Sequence, residues 1–241
     1  MHQESDCEDR DRNGEGLNRH PLLKKTIYFR FRSRVISATG TQADSIHSNV
    51  LRLRINSSSL DIIVQALLCL CPLPLRHWAQ STFPEWYLPP NIVLKKEKEG
   101  WEEEFNTELA TYDKLRCLQG HVIPVCYGQI EYDGARALIL SDVGGECLAE
   151  PQGATLEEDE LRPLLHQALC ALAELQISHS DLKLDNFRLV NGAIVVVDFE
   201  RVDEHASKEE AKELEPFDLK FLMKRYRDHL RCLEEDGLLE R

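Results

Sequence analysis

The order of apolar and polar positions divides the chain into a strand-rich first half and a helix-rich second half. From Thr26 to Val35, and again from Asn49 to Ile55, β-favouring residues alternate or run together, which predicts two strands joined through a polar loop containing Gly40. Residues 56–90 interrupt this pattern with an apolar helix over 61–70 and a segment rich in proline and tryptophan over 71–90. The stretch reads as an insertion, and as a surface excursion in preference to a docking or lid element. Asn91 to Lys96 predicts a further strand. Beyond it, Trp101, Phe105, Glu108, Tyr112 and Leu115 recur at spacings of four and three, the stripe of one helix. Short strands follow around Val122 to Tyr127, Gln129 to Tyr132 and Arg136 to Leu140, with Asp133-Gly134 as a hairpin turn.

In the second half, Thr155-Leu156-Glu157-Glu158 fits a capping box that opens a helix to about Gln176, with Leu161, Leu165, Ala168, Leu172 and Leu175 on its buried face. Phe187 to Val190 and Ala193 to Asp198 flank Asn191-Gly192 and form a hairpin. Its second strand is apolar on both faces and delivers Asp198 at its end. One or two helices close the chain: Ser207 with Glu210 caps the first, and Leu219, Leu222, Tyr226, Leu230 and Leu233 form the last stripe.

Composition narrows the functional classes. The 241 residues allow one substantial core or two small lobes around a cleft, and 42% hydrophobic with 29% charged residues is an ordinary globular balance. The net charge of -13 opposes binding to nucleic acid, and the basic run from Arg19 to Arg34 reads as a solvated strand face. Eight cysteines without C-x-x-C spacing point to reduced thiols and an intracellular protein, cytoplasmic or nuclear. The most apolar stretch, Ile62 to Leu75, is too short and too proline-broken to cross a membrane. Residues 1–20 are polar and of mixed charge, a disordered tail with neither a secretory signal nor a lipid anchor.

Four sites carry polar residues where a core would not want them: Lys95, Glu108, Asp181 with Asn186, and Asp198. Glu108 is the only charge on its helical stripe, so it either meets a buried cation or lies at the stripe's edge and reaches water. Phosphoryl transfer needs the phosphates held, their charge neutralised by a hard metal ion and a hydroxyl oriented by a carboxylate. Asp198 and the amide of Asn186 suit the metal. Asp181, in the same loop as Asn186, suits the hydroxyl.

His179-Ser180-Asp181-Leu182-Lys183-Leu184-Asp185-Asn186 resembles the protein-kinase catalytic loop H-R-D-L-K-x-x-N, and Asp198-Phe199-Glu200 resembles the metal-binding D-F-G. Ile92-Val93-Leu94-Lys95 is similar to the V-A-I-K strand, with Lys96 as an alternative lysine, and Glu108 falls where the family's helix glutamate pairs with that lysine. Leu138 to Gly145 is similar to the strand and hinge that hold adenine. The likeness covers residues 91–200 and extends to small kinase-like proteins of filamentous fungi. It implies an α+β, two-lobed protein-kinase-like fold: a β-rich N-lobe over about 21–140 carrying the insertion at 56–90, a hinge at 141–145, and a reduced, mainly helical C-lobe over 146–241. By the same resemblance Lys95 contacts the phosphates of ATP and Glu108 holds it. Asp181 is the catalytic base, Lys183 approaches the γ-phosphate, and Asn186 and Asp198 ligate Mg²⁺. Main-chain groups of Ser141 and Val143 bind adenine, and His179, Phe199 and Tyr112 match the hydrophobic spine.

The sequence departs from the family in several places. No glycine-rich loop is recognisable, so either Ser37 to Ser45 serves poorly in that role or the nucleotide depends on Lys95 and metal. Val93 crowds the adenine wall, and Ser180 replaces the arginine of H-R-D. Glu200 replaces the glycine of D-F-G, and is read as pointing outward rather than as an extra ligand. Only 43 residues follow Asp198, too few for the family's peptide-binding helices. The acceptor therefore stays open between a protein Ser/Thr hydroxyl, which Lys183 favours, and a small-molecule hydroxyl. A pseudokinase acting as a nucleotide-binding or scaffold module is the competing reading.

Overall fold

The structure is a computed structural model that describes residues 24–43, 49–58, 61, 63–64, 66–67, 70 and 72–239. The expected tail over 1–20 lies outside them. Strands β1 (Lys25–Phe31), β2 (Arg34–Gln42), β3 (Val50–Ile55), β4 (Asn91–Lys96), β5 (Cys126–Tyr132) and β6 (Ala135–Ser141) form one antiparallel sheet in the order β1-β2-β3-β4-β6-β5. The sheet curls until its edge strands meet, with the Phe31 ring against Gly128. Two-residue alternation sorts its side chains. Ile92 and Leu94 of β4 and Ala137 and Ile139 of β6 join Phe29, Phe31 and Ile36 in one apolar cluster. Leu138 and Leu140 face a second cluster built with the helices.

Helix α1 (Leu73–Thr82) lies between β3 and β4, and α2 (Glu102–Lys114) follows β4. Then come β7 (Glu146–Cys147), α3 (Glu158–Ala173), β8 (Ile177–His179), β9 (Phe187–Val190), β10 (Ala193–Val196), β11 (Val202–Glu204) and α4 (Lys208–Glu235). Small antiparallel sheets β10-β9-β7 and β11-β8 carry the loops of interest. The fold is thus α+β, with its large sheet in the first half and its longest helices in the second.

Several expected elements take a different form. The strand expected over Thr26 to Val35 is two strands, reversed at Arg32-Ser33, where Arg32 takes a left-handed φ of 52° without help from glycine or asparagine. Gly40 lies inside β2 rather than in a loop. Of the stretch Ser37 to Ser45, the residues up to Gln42 are strand, while Asp44 and Ser45 lie outside the described residues. Val122 to Tyr127 and Gln129 to Tyr132 are not two strands: β5 starts at Cys126 and passes a bulge at Gly128, where φ is 132°.

The remaining differences concern helix ends and the insertion. Helix α3 is capped by Glu157, not Thr155; Glu157 and Glu160 make the reciprocal capping box, and the helix ends at Ala173. Ser207 caps α4 as read, but α4 runs through Pro216 as a single helix. In the insertion, the described residues among 61–67 are helical, and the proline-rich stretch contains α1, whose Pro72 and Pro74 sit at its start, where proline's missing N–H costs nothing.

The insertion is also knitted to the first hairpin. Arg34 ion-pairs with the buried Asp61, donates to the Glu85 carbonyl at 3.0 Å and stacks over Trp86. The Ser33 hydroxyl donates to the Glu85 carboxylate at 2.6 Å.

Gly40 is fixed by the sheet. A Cβ there would run into the Arg52 carbonyl of β3. Gly40→Ala is therefore expected to destabilise the protein by about 1–3 kcal/mol, read as a lower denaturant midpoint at unchanged slope.

Candidate active site

Alternation along β4 turns Ile92 and Leu94 into the sheet's apolar cluster and sends Lys95 to the other side, where α2 packs. Lys95 is 7% exposed and Glu108 1%. Their ammonium and carboxylate meet at 2.7 Å. Glu108 is thus the paired residue that its place on the helical stripe demanded, not an edge residue reaching water. Lys96, the alternative lysine, points the other way and meets Asp133 at 3.0 Å.

The hairpin of β9 and β10 returns the chain to this lysine. Asn191 and Gly192 both take positive φ, closing the two-residue turn, and β10 ends at Val196, two residues short of the expected end at Asp198, which is itself at φ 64°. Asp198 Oδ1 lies 2.7 Å from Lys95 Nζ, and Glu200 Oε1 lies 3.1 Å away. Glu200 therefore points inward, contrary to the outward reading, because Lys98 holds its other oxygen at 2.8 Å. Lys98 in turn stacks on Trp101. The three N–H bonds of Lys95 face three carboxylates.

Burial alone would pull the Lys95 ammonium below its ordinary pKa; Glu108, Asp198 and Glu200 outweigh it and hold the value above. Burial likewise pushes the Asp198 carboxyl up, but the charge and hydrogen bond of Lys95 keep it below its usual value.

The loop from His179 to Asn186 is held by its own hydrogen bonds. Asn186 Nδ2 donates to the Asp181 carbonyl at 2.9 Å, which leaves its amide oxygen without a partner among the described residues. Lys183 Nζ approaches Asp181 Oδ2 at 3.0 Å. The Val197 N–H donates to the Asn186 carbonyl, tying this loop to the segment between β10 and Asp198. His179 accepts the Asp181 N–H at Nδ1 (3.2 Å), so Nε2 carries the proton and donates to the Val197 carbonyl at 3.2 Å. Behind the loop, Phe199 is fully buried between Tyr112 and His179, with ring centroids 5.5 and 5.6 Å away.

Lys95, Glu108 and Asp198 therefore converge, and Asp181, Lys183 and Asn186 share the adjoining loop. Ser141 and Val143 are placed differently. The Ser141 N–H donates to the Val125 carbonyl, and its hydroxyl accepts the Val125 N–H, both at 2.9 Å. Both residues line a groove of about 570 Å³ walled by Ile123, Leu164 and Val195, which includes neither Lys95 nor Asp198. The sequence reading missed Lys98; its only local signal is a lysine just beyond the strand end, three residues before Trp101.

The carboxylates of Glu108, Asp198 and Glu200 offer oxygens within 4.8 Å of one another, the donor type that hard divalent cations such as Mg²⁺ prefer, but in this arrangement they converge on the Lys95 ammonium. In comparisons with known proteins, no family model matches the chain and no curated protein matches it.

Removing the lysine strands its carboxylates. Lys95→Met is expected to cost about 3–5 kcal/mol in chemical denaturation, the range for breaking one side of a buried pair. A second expectation concerns acid. Burial lowers the pKa of His179 despite its bond to Val197. A folded value below the unfolded value of about 6.5 means that stability is intact above that pH and declines as pH falls through the depressed value. His179→Phe should flatten the pH dependence of the melting temperature in that acid window.

Proposed function

We propose that this chain is a phosphotransferase of the protein-kinase-like superfamily that uses ATP and Mg²⁺, with a Ser/Thr hydroxyl as acceptor. The observation that carries the reading is the buried Lys95–Glu108 pair meeting Asp198 at 2.7 Å, next to the loop that holds Asp181 and Asn186. Lys95 would neutralise the inner phosphates and Glu108 would hold it in place. The acceptor oxygen would form its bond to the γ-phosphorus as the bond to the β-phosphate oxygen breaks, and the hydroxyl proton would pass to the Asp181 carboxylate. Lys183, 3.0 Å from that carboxylate, would meet the charge of the transferred group. Asp198, with the unpartnered oxygen of Asn186, would hold Mg²⁺, which when bound neutralises phosphate charge.

A nucleotide-binding pseudoenzyme is the second reading, and the environment of Lys95 favours it. All three of its N–H bonds face carboxylates, so an incoming phosphate must displace one. Glu200 is the longest contact and the one anchored to a partly exposed lysine.

Melting curves with and without ATP·Mg²⁺, paired with γ-phosphate release, separate the possibilities. The phosphotransferase reading expects a shift that Lys95→Met abolishes and turnover that Asp181→Ala abolishes. A shift without turnover points to the pseudoenzyme, and no shift in any condition overturns both. Glu200→Gln is expected to tighten metal-free ATP binding roughly tenfold, because it removes a charged competitor for Lys95; isothermal titration reads this directly.

A further inference from the structure

We propose that His166, Cys170 and Glu215 form a binding site for a divalent transition-metal ion of the zinc class, seated where α3 meets α4. The site is separate from the Lys95 cluster and does not depend on the phosphotransferase reading.

His166 and Cys170 stand four residues apart on α3, one turn above each other on the same face. Glu215 reaches them from α4. His166 Nδ1 lies 2.8 Å from Glu215 Oε1 and 3.4 Å from Cys170 Sγ, and the three ligand atoms all fall within 4.8 Å of one another. Tetrahedral zinc with bonds of about 2.0–2.3 Å places its ligand atoms roughly 3.3–3.8 Å apart, so small side-chain adjustments admit the ion. Thiol, imidazole and carboxylate together form a mixed set that suits zinc-like ions over Mg²⁺ or Ca²⁺.

Two further observations favour a ligand cluster over the obvious alternatives. A nucleophilic Cys-His-Glu relay needs the thiol and the carboxylate on opposite ring nitrogens. Here both approach Nδ1, and Nε2 is the more distant from the sulfur, at 3.8 Å. No lysine or arginine pairs with the buried Glu215 carboxylate among the described residues, so a metal ion would compete there only with the His166 contact. His166 is half exposed, which gives the ion an entry path and leaves its fourth position to water, as in zinc sites with three protein ligands. Binding releases the thiol proton to solvent, so affinity should rise with pH.

The test is titration of the whole reduced protein with Co²⁺, a spectroscopic substitute for Zn²⁺. The expected result is one equivalent bound with a thiolate-to-metal charge-transfer band that Zn²⁺ displaces, together with a Zn²⁺-dependent rise in melting temperature. Cys170→Ser and His166→Gln should each lose the band and weaken binding by at least about a hundredfold, while the metal-free melting of Cys170→Ser stays near that of the parent. Absence of the band in the parent protein overturns the proposal. So does a band that survives in Cys170→Ser, which would place the metal on other cysteines.

Discussion

The ammonium of Lys95 is a buried cation with three hydrogen-bond donors, and two separate parts of the chain supply its three acceptors. Glu108 comes from the helix after β4, and Asp198 and Glu200 come from the segment after β10. At an effective dielectric near 20, each contact is worth about 6 kcal/mol of gross attraction. The desolvation of several buried ions is of the same order. The cluster therefore adds little net stability. What it fixes is arrangement: α2 cannot rotate, and the segment carrying Asp198 beyond β10 cannot slide, without leaving a charge unpaired.

The charge balance of the cluster is uneven. Two ammoniums, Lys95 and Lys98, face three carboxyl groups, and burial pushes the Glu108 carboxyl above its ordinary value. Behind the cluster, Tyr112, Phe199 and His179 pack as contiguous rings, so the charged layer rests on a rigid apolar one.

Much of this was legible in the sequence where the signal is local. The hairpin carrying Asp198 shows itself through Asn191-Gly192 between apolar runs, and Glu108 shows itself as the single charge on a stripe. The first hairpin was hidden because its turn is Arg32-Ser33, where an arginine and not glycine, asparagine or aspartate takes the left-handed conformation. Helix α1 was hidden because Pro72 and Pro74 look like breakers when read alone, yet are compatible with a helix start. The inward turn of Glu200 depends on Lys98, whose role needs the folded geometry. The cluster of His166, Cys170 and Glu215 is invisible for the same reason: its third member lies on another helix. The N–H and hydroxyl of Ser141, read as part of a hinge, are committed to Val125, a pairing that only the folded chain brings about.

Arg34 binds the segment between β3 and β4 to the turn of the first hairpin through Asp61, Glu85 and Trp86. Heredity would see these two stretches as one. A change at position 34 that kept the sheet's edge intact would still strand a buried carboxylate in the insertion. A shortened insertion would in turn leave a guanidinium at the hairpin with nothing to hold. Variation in this protein is therefore expected to arrive there in matched pairs, so that the inserted segment and the sheet edge change together or not at all.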